Sequence, residues 1–300
     1  MTEMYSMTTQ ENRPAGDDPG PGGGRLRMTA GRRAALLFGV PVCVALVAAT
    51  GLSFAADLGS ASFPVRYTFP ASATRVAVSV GGGQLTLVQA AAGRATLTGT
   101  AHYSLVRPHP AATVTGGVTT YNYRCPLPFG DCGLDATVTI PAGMPASAST
   151  GGGNAEVTGT TGTVSLNTDG GQLTARNVSG AITLSTGGGN ITAGNVSGPA
   201  TLNTSGGQIQ ATAVRSADVT ASSGGGNITI VFTAVPRDVS VSTAGGSITI
   251  VVPRGRAPYH VIHSTAGGST SITVPQASSS ANVITATSGG GNILIEQAAT

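Results

Sequence analysis

The sequence predicts an all-β protein whose main part is a single-stranded parallel β-helix, a form of β-solenoid, preceded by a disordered tail and one transmembrane helix. Three observations predict the β-helix: a tandem repeat of about twenty residues, polar residues that alternate with apolar ones, and a glycine-rich turn within each repeat. The clearest unit is Ala-Ile-Thr-Leu-Ser-Thr-Gly-Gly-Gly-Asn-Ile-Thr-Ala-Gly-Asn-Val-Ser-Gly, at residues 181–198.

A small polar residue closes each glycine turn and marks the repeat. From residue 154 onward these residues are 18 to 23 positions apart, and an earlier copy stands alone at residues 75–87. Stacked about 4.8 Å apart, they would form a hydrogen-bonding ladder along one edge, in about eight or nine rungs spanning about 40 Å. This turn ladder consists of Gln84, Asn154, Gln172, Asn190, Gln208, Asn227, Ser247, Ser269 and Asn292.

Apolar residues occupy every second position on both sides of most turns. Val164 and Leu166 precede Gln172, and Leu173 and Ala175 follow it. A period of two predicts strands with one buried face, because a helix would show a period of 3.6. We expect glycine at the bend because such a turn requires a positive φ angle, which a side chain resists.

The composition argues against a globular enzyme and against a nucleic-acid partner. Glycine makes up 45 of the 300 residues, aromatic residues 4% and charged residues 9%, whereas a globular enzyme usually has a larger aromatic core and more charge. Ten arginines and eight acidic residues follow position 56, so this part of the chain is close to neutral. The overall basic balance therefore does not predict nucleic-acid binding.

The chain divides into four predicted parts. Residues 1–33 form a disordered, basic cytoplasmic tail. Residues 34–56 carry no charge and form a transmembrane signal anchor. Residues 57–145 contain an N-terminal cap, the first rung and an irregular insertion, and residues 146–300 contain the regular solenoid repeats.

The apolar segment also predicts where the protein resides. Its 23 residues span roughly 35 Å as a helix, which is enough to cross a bilayer. Arginines on its N-terminal side predict a single-pass protein of the cell membrane, with a cytoplasmic N-terminus and an extracytoplasmic β-helix. A cleaved signal peptide is the alternative, with a small-x-small cleavage site at residues 53–55.

Two cysteines of the exported part predict a disulfide. Cys125 and Cys132 flank a short loop, and closely spaced cysteines in an exported chain usually pair. A metal site is the alternative, but neither a histidine nor a second cysteine pair accompanies them.

These features together resemble a bacterial family known as adhesins or as domains of unknown function. The resemblance rests on the basic tail, the apolar segment, the cysteine pair, Thr-Val-Thr-Ile-Pro-Ala-Gly at residues 137–143, and the Gly-Gly-Gly-Asn-Ile units. It covers residues 60–298 and implies a right-handed β-helix at the cell envelope. The use of arginine without lysine is typical of a GC-rich genome and suggests an actinobacterial type.

The sequence offers few groups for catalysis, and it predicts no catalytic residue, no cofactor and no metal ion. Glu156 and Asp169 are the only acids of the early rungs, and they occupy different phases of the repeat. His260 and His263 point to opposite faces of a strand, so they cannot chelate one metal on a single face. A polysaccharide-active β-helix enzyme stays open as a rival hypothesis.

The outward surface carries the leading functional hypothesis. Threonines and the turn ladder would form a hydroxyl- and amide-rich array that can hydrogen-bond a polymer or a partner. The sequence therefore predicts a non-enzymatic, membrane-anchored surface protein that binds envelope polysaccharide or a surface protein. An envelope scaffold or an accessory protein of a stress sensor is the alternative. The candidate binding face comprises Thr183, Thr192, Thr201, Thr220, Thr229 and Thr249.

Overall fold

The computed structural model describes residues 60–126 and 132–299, and every helix or strand in these two ranges is a β-strand. The predicted cytoplasmic tail and transmembrane helix, residues 1–33 and 34–56, lie outside the described residues. Within the two described ranges, no helix is long and apolar enough to span a bilayer.

The first part of the described chain contains strands of unequal length that are separated by irregular connections. Seven strands precede residue 142: β1 (Ser60–Thr68), β2 (Arg75–Val80), β3 (Leu85–Ala90), β4 (Thr96–Ser104), β5 (Ala111–Thr115), β6 (Val118–Tyr123) and β7 (Cys132–Pro141).

The middle part is regular, with strands of four to six residues. They are β8 (Ala146–Thr150), β9 (Ala155–Thr158), β10 (Val164–Thr168), β11 (Leu173–Val178), β12 (Ile182–Thr186), β13 (Ile191–Val196), β14 (Ala200–Thr204), β15 (Ile209–Val214), β16 (Asp218–Ser223), β17 (Ile228–Phe232), β18 (Asp238–Thr243) and β19 (Ile248–Val252). The last part adds β20 (His260–Thr265), β21 (Thr270–Ile272), β22 (Val283–Ser288) and β23 (Ile293–Gln297).

The strands form two sheets, between which the chain alternates. The 12-stranded sheet has the order β1-β4-β7-β3-β9-β11-β13-β15-β17-β19-β23-β21, and the 11-stranded sheet has the order β20-β22-β18-β16-β14-β12-β10-β8-β2-β6-β5. From β8 to β17, each strand pairs in parallel with the strands two before and two after it, or at the start with β2 or β3. The all-β, parallel β-solenoid architecture that the sequence predicts is therefore present.

The rungs stack in register, so equivalent residues form columns. Val164 lies beside Ile182, which lies beside Ala200, and the intervening threonines and serines pair in the same way. The apolar members of each strand are buried and the intervening polar members are half-buried or exposed. The period-two alternation thus identified the buried face correctly.

The core is one continuous cluster that runs between the two sheets. Small and branched aliphatic side chains fill its regular part, and Ala175, Ala193 and Ala211 face the interior of three successive rungs. Aromatic residues are buried mainly near the ends, at Phe69, Tyr123 and Tyr259. Because small residues bury little apolar area each, the ladders of backbone hydrogen bonds must contribute much of the cohesion.

The order of the rungs differs from the order of the strands along the chain. At one end, β6 and β7 pair outside β2 and β3, although they follow them in sequence. At the other end, β22 and β23 lie between the β18–β19 rung and the β20–β21 rung. The rungs therefore do not stack in strict chain order at either end, and the last described strand, β23, lies inside the stack.

The first part of the chain departs from the predicted parallel pairing. β1 pairs antiparallel with β4, and β4 pairs antiparallel with β7, so the larger sheet continues beyond the parallel rungs. β5 forms an antiparallel hairpin with β6 at the same end of the smaller sheet. This extension continues both sheets beyond the β6–β7 rung at the N-terminal end of the solenoid.

The glycine-rich turn before each turn-ladder residue is the first corner of a rung. Its glycines are needed for a reason other than the expected positive φ angle. Among the last glycines of these corners, only Gly83 has a positive φ angle, 99°. A Cβ atom added to Gly189 would overlap the carbonyl oxygen of Gly171 in the neighbouring rung, and Gly171 is related to Gly153 in the same way. Close approach of the adjacent backbone therefore excludes a side chain here.

Positive φ angles occur instead at the second corner, which is the bend at the end of the strand that follows each turn-ladder residue. Gly159, Asn177, Asn195 and Ala213 occupy equivalent positions of successive rungs, with φ angles of 71°, 55°, 54° and 52°. Asparagine tolerates this left-handed conformation better than other residues with a side chain. The Asn195 amide also donates a 2.7 Å hydrogen bond to the Asn177 side-chain oxygen.

Candidate binding surfaces

The turn ladder is a hydrogen-bonded column in which asparagine side chains accept most of the bonds between rungs. The side-chain oxygens of Asn154, Asn190 and Asn227 accept 2.8 Å hydrogen bonds from the backbone N–H of the equivalent residue in the next rung. Asn292 accepts a corresponding bond of 2.9 Å from the Ser269 N–H. These side chains are exposed, but their oxygens are engaged in joining rungs, so the column stabilises the solenoid.

The remaining members of the ladder make different contacts. Ser247 accepts a 3.2 Å hydrogen bond from the Asn292 N–H through its hydroxyl. The Gln84 N–H donates to the Asp135 carboxylate at 2.7 Å, so an aspartate replaces asparagine in the end rung. Gln172 and Gln208 donate through their backbone N–H groups to the asparagine of the previous rung.

A second column, which the sequence interpretation missed, lies buried behind the same corners. The Thr186 hydroxyl donates to the Gly171 carbonyl oxygen at 2.9 Å and accepts from the Gly189 N–H at 3.0 Å. Equivalent bonds recur from rung to rung, and the hydroxyl always lies four residues before the turn-ladder residue, a spacing visible in the sequence. We call this set the hydroxyl column: Thr150, Thr168, Thr186, Thr204, Ser223, Thr243, Thr265 and Ser288.

The six threonines of the predicted binding face do not share one face. Thr183, Thr201 and Thr220 form a column on the 11-stranded sheet. The other three lie on the 12-stranded sheet, in strands β13, β17 and β19: Thr192, Thr229 and Thr249. The glycine corner carries the chain from one sheet to the other, so threonines before and after it face opposite sides of the solenoid.

Two columns on the outer face of the 11-stranded sheet are polar and uncharged over six neighbouring strands, and the charged residues Asp218 and Asp238 lie beside them at the start of β16 and β18. One column contains Ser165, Thr183, Thr201, Thr220, Ser240 and Thr285. A parallel column, two residues further along each strand, contains Asn167, Ser185, Asn203, Ser222, Ser242 and Thr287. We call these two columns the hydroxyl–amide face, and its second column was absent from the sequence-based prediction.

A shallow groove lies beside the centre of the hydroxyl–amide face. It has a volume of about 360 Å³ and is lined by Ser185, Asn203 and Ser222 together with the adjacent corner residues. The Ser242 and Ser222 hydroxyls are 3.3 Å apart, which shows that neighbouring rungs can hydrogen-bond along a column.

The outer face of the 12-stranded sheet is chemically mixed. Glu156 and Arg176 form an ion pair of 2.8 Å across adjacent strands, and both side chains are partly exposed. Gln210 lies in the same column as Thr192, whereas Leu294 lies beside Thr249. Charge and apolar side chains interrupt the hydroxyl array on this side.

Two of the described acids, Asp218 and Asp238, are aligned on the adjacent strands β16 and β18, and two others are paired with a basic residue or a histidine. Arg237 Nη2 donates to both carboxylate oxygens of Asp218 at 2.7 and 2.8 Å, and His102 Nε2 lies 3.3 Å from Asp135 Oδ2. In residues 60–126 and 132–299, no group of three or more histidine, cysteine, aspartate and glutamate residues is arranged to hold a metal ion.

The histidine pair lies on the outermost strand of the smaller sheet. His263 is aligned with the fully buried Ala286 of β22 but is itself exposed, since β20 is the outermost described strand of its sheet. His260 is half-buried at the start of the same strand. The core-facing position of His263 is thus tolerated because it belongs to an end rung.

Cys125 and Cys132 form the predicted disulfide. The bond connects the segment after β6 to the first residue of β7, and therefore joins the two halves of the end rung. Gly81 lies against Cys125, so the bond also contacts the neighbouring rung.

An aromatic groove opens between the two sheets at the N-terminal end of the solenoid. It has a volume of about 450 Å³, and we call it the N-terminal mouth: Phe63, Pro64, Val65, Arg66, Tyr67, Arg107, Pro110, Ala112 and Tyr121. Arg107 stacks over the Phe63 ring at 4.2 Å. Burial, and secondarily the neighbouring Tyr67, raises the pKa of Tyr121 above its ordinary value.

The geometry defines a β-solenoid protein that presents two uncharged columns of hydroxyl and amide groups on one of its sheets. A comparison of the sequence with protein families matches residues 134–298 to the Toastrack DUF4097 family. The chain belongs to this family. No curated protein matches the chain.

Three crystal structures resemble the chain in fold. A "putative adhesin" from Bacteroides fragilis is 15% identical with a TM-score of 0.47, and the alignment covers 79% of this chain and 97% of that one. A "putative adhesin" from Parabacteroides distasonis is 15% identical with a TM-score of 0.41, over 81% and 98%. A "putative cell adhesion protein" from Clostridium sporogenes is 12% identical with a TM-score of 0.31, over 79% and 100%.

Proposed function

We propose that the chain is a non-enzymatic, adhesin-like surface protein that binds a neutral envelope polysaccharide through the hydroxyl–amide face. The observation that carries this proposal is the uniformity of that face, which presents two columns of hydroxyl and amide groups without a charge over six strands. Neutral sugars present the matching hydroxyl donors and acceptors.

The repeat of the face suits a polymer better than a small ligand. Rungs recur about every 4.8 Å, and the two columns are about 7 Å apart along each strand, so similar contacts are offered many times. Each hydrogen bond contributes only about 1 kcal/mol. A chain that engages several rungs at once gains affinity through multivalency, whereas a monosaccharide does not.

The cellular placement is part of the same proposal. Residues 34–56 anchor the protein in the cytoplasmic membrane, with the tail 1–33 inside and the solenoid outside. The uncharged length of the segment and the arginines before it support this placement.

A binding screen with matched variants tests the proposed face. The full chain, reconstituted in lipid nanodiscs, is applied to an array of neutral and anionic glycans. Ser185→Lys/Ser222→Lys blocks the centre of the hydroxyl–amide face and should abolish retention of neutral polymers. Thr192→Lys/Thr229→Lys places the same charges on the other sheet and should retain binding. Equal loss in both double variants contradicts the proposed face.

The enzyme hypothesis is tested on the same array. A polysaccharide-active enzyme needs two carboxyl groups across the scissile bond, and Glu156 is already paired with Arg176. We expect bound glycan to keep its length over time, and Glu156→Gln/Asp169→Asn to bind as the wild type does. Release of new reducing ends that this double variant abolishes contradicts the binding proposal.

A further inference from the structure

The N-terminal mouth leaves core-facing apolar side chains only partly covered. Phe63 and Tyr67 project from the core side of edge strand β1, since their cross-strand partners Ala101 and Leu97 are fully buried. On the opposite sheet, Val114 is aligned with the buried Thr119, yet it is 54% exposed. The end of the solenoid is therefore open and apolar on both sheets.

A tight turn beside the mouth presents two more apolar side chains to solvent. The Val106 N–H donates a 2.7 Å hydrogen bond to the Ser104 carbonyl oxygen, and Leu105 between them has a φ angle of 65°. This three-residue turn is a rare conformation for leucine, and such geometry concentrates at functional sites. Leu105 and Val106 are 50% and 44% exposed.

Positive charge concentrates at the same end. Residues 60–145 contain five arginines and two aspartates, a net charge of +3, whereas residues 146–300 contain five arginines and five acids, a net charge of zero. All five arginines of the first group are exposed: Arg66, Arg75, Arg94, Arg107 and Arg124. Two of them, Arg66 and Arg107, line the mouth itself.

The chain path identifies the surface that this end meets. Ser60 is aligned with Ser104, the residue before the exposed turn, and only three residues separate Ser60 from the uncharged segment 34–56. Four Cα steps span at most about 14 Å. An anchored chain therefore holds the turn close to the bilayer surface.

We infer that the N-terminal mouth and the Leu105–Val106 turn dock onto an anionic membrane surface. The inference rests on the membrane anchoring in the proposed function. The apolar turn enters the interfacial region, and Arg66 and Arg107 bind lipid phosphates, as basic and apolar groups do together at membrane surfaces. Docking orients the solenoid with its N-terminal end on the lipid.

Tryptophan fluorescence tests this inference, because the natural chain contains no tryptophan. The full-length Val106→Trp variant is reconstituted into anionic vesicles whose acyl chains carry bromine, a short-range quencher. Val235→Trp is the matched control, since Val235 is 47% exposed but lies between β17 and β18. We expect emission from position 106 to shift to the blue and be quenched, and emission from position 235 to be unchanged.

Charge variants test the lipid preference. In Val106→Trp, replacing Arg66 or Arg107 by glutamine should lower the ratio of docked to undocked protein about fivefold for each guanidinium removed. Arg254→Gln, at an exposed arginine far along the chain, should leave this ratio unchanged. Zwitterionic vesicles should lower this ratio for Val106→Trp as the additional Arg66→Gln/Arg107→Gln double substitution does with anionic vesicles.

The outcomes separate this inference from the proposed function. Vesicle flotation reports anchoring, and failure to float overturns both the anchoring and the docking. Flotation with equal quenching at positions 106 and 235 overturns the docking alone. If Val106→Trp does not fold, as judged by circular dichroism, Val114→Trp reports on the same end with the same expected result.

Discussion

At the residue scale, the corner glycines differ according to what the neighbouring rung places beside them. Gly188 and Gly189 are adjacent in one corner, and neither has a positive φ angle. A Cβ atom on Gly188 would meet nothing within 4 Å, but one on Gly189 would overlap the backbone of Gly171. Alanine substitutions at these two positions therefore distinguish the effect of close backbone packing from the effect of backbone conformation.

We expect Gly189→Ala to lower the free energy of unfolding by more than about 3 kcal/mol, because the rungs must separate to admit a methyl group. Gly188→Ala should change it by less than about 1 kcal/mol. Urea denaturation followed by circular dichroism measures both values. Similar effects at the two positions would contradict the close-packing explanation.

Two buried tyrosines carry hydroxyl groups without a hydrogen-bond partner among the described residues, Tyr121 and Tyr259. Burial raises the pKa of Tyr259 above its ordinary value, because the charged phenolate is poorly solvated in the core. The folded state therefore retains this proton at a pH where the unfolded state has lost it. The contribution of this group to the free energy of unfolding is therefore fully present below about pH 10, and it declines as the pH rises above that value.

Tyr259→Phe should leave stability at neutral pH unchanged or raise it by about 1 kcal/mol, since it removes an unpaired buried hydroxyl. It should also reduce the decline above pH 10. Urea midpoints measured between pH 8 and 11 test both effects. Tyr103→Phe controls for loss of a half-buried phenol, and an identical pH profile in Tyr259→Phe and the wild type would refute the assignment.

At the element scale, the first corner depends on the hydroxyl column. Thr186 donates to one rung and accepts from its own corner, so a single side chain satisfies two backbone groups. The sequence contained this information, because a threonine or serine lies four residues before each turn-ladder residue from Asn154 onward. The regular alternation favoured an outward interpretation of threonine, and the corner hydroxyls were missed.

Thr186→Val keeps the shape of the side chain but leaves the Gly171 carbonyl and the Gly189 N–H without this partner. We expect a loss of about 2–5 kcal/mol in the free energy of unfolding, from two buried polar groups. Thr186→Ser should lose less, since Ser223 fills the same role in another rung. Thr183→Val, on the exposed face, should change stability by about 0.5 kcal/mol or less; a larger loss there than at Thr186 would disprove the role of the column.

At the scale of the whole described solenoid, local patterns predicted the strands and the buried face, but they could not predict the order of the end rungs. The alternation of apolar residues is similar in every rung and does not specify which rungs are neighbours. The order depends on which rung can leave its core-facing residues exposed to solvent. His263, exposed in a core-facing column, marks the end rung in the structure. The six threonines of the predicted binding face lie on two sheets for a related reason, because which sheet a strand joins is a long-range property.

This rung order has a measurable consequence for local stability. Among the described strands, β20 pairs only with β22, and β21 only with β23. Ile295→Ala removes a fully buried side chain of β23 and should cost about 2–4 kcal/mol. Hydrogen exchange should then accelerate in β20 and β21 together with β22 and β23.

Ile191→Ala, at an equally buried residue of β13, is the control. It should accelerate exchange in its own neighbours and leave β20 and β21 near their wild-type rates. If the amides of β20 and β21 keep their wild-type protection in Ile295→Ala, they do not depend on the rung beneath them.

The position of β22 and β23 also bears on how the protein is made. A nascent chain leaves the ribosome from its N-terminus, so β20 and β21 emerge before the strands that will hold them to the solenoid. Until the following segment is synthesised, the strands with which β20 and β21 pair in the complete fold are absent. The native arrangement of this end can therefore be completed only after β22 and β23 have left the ribosome.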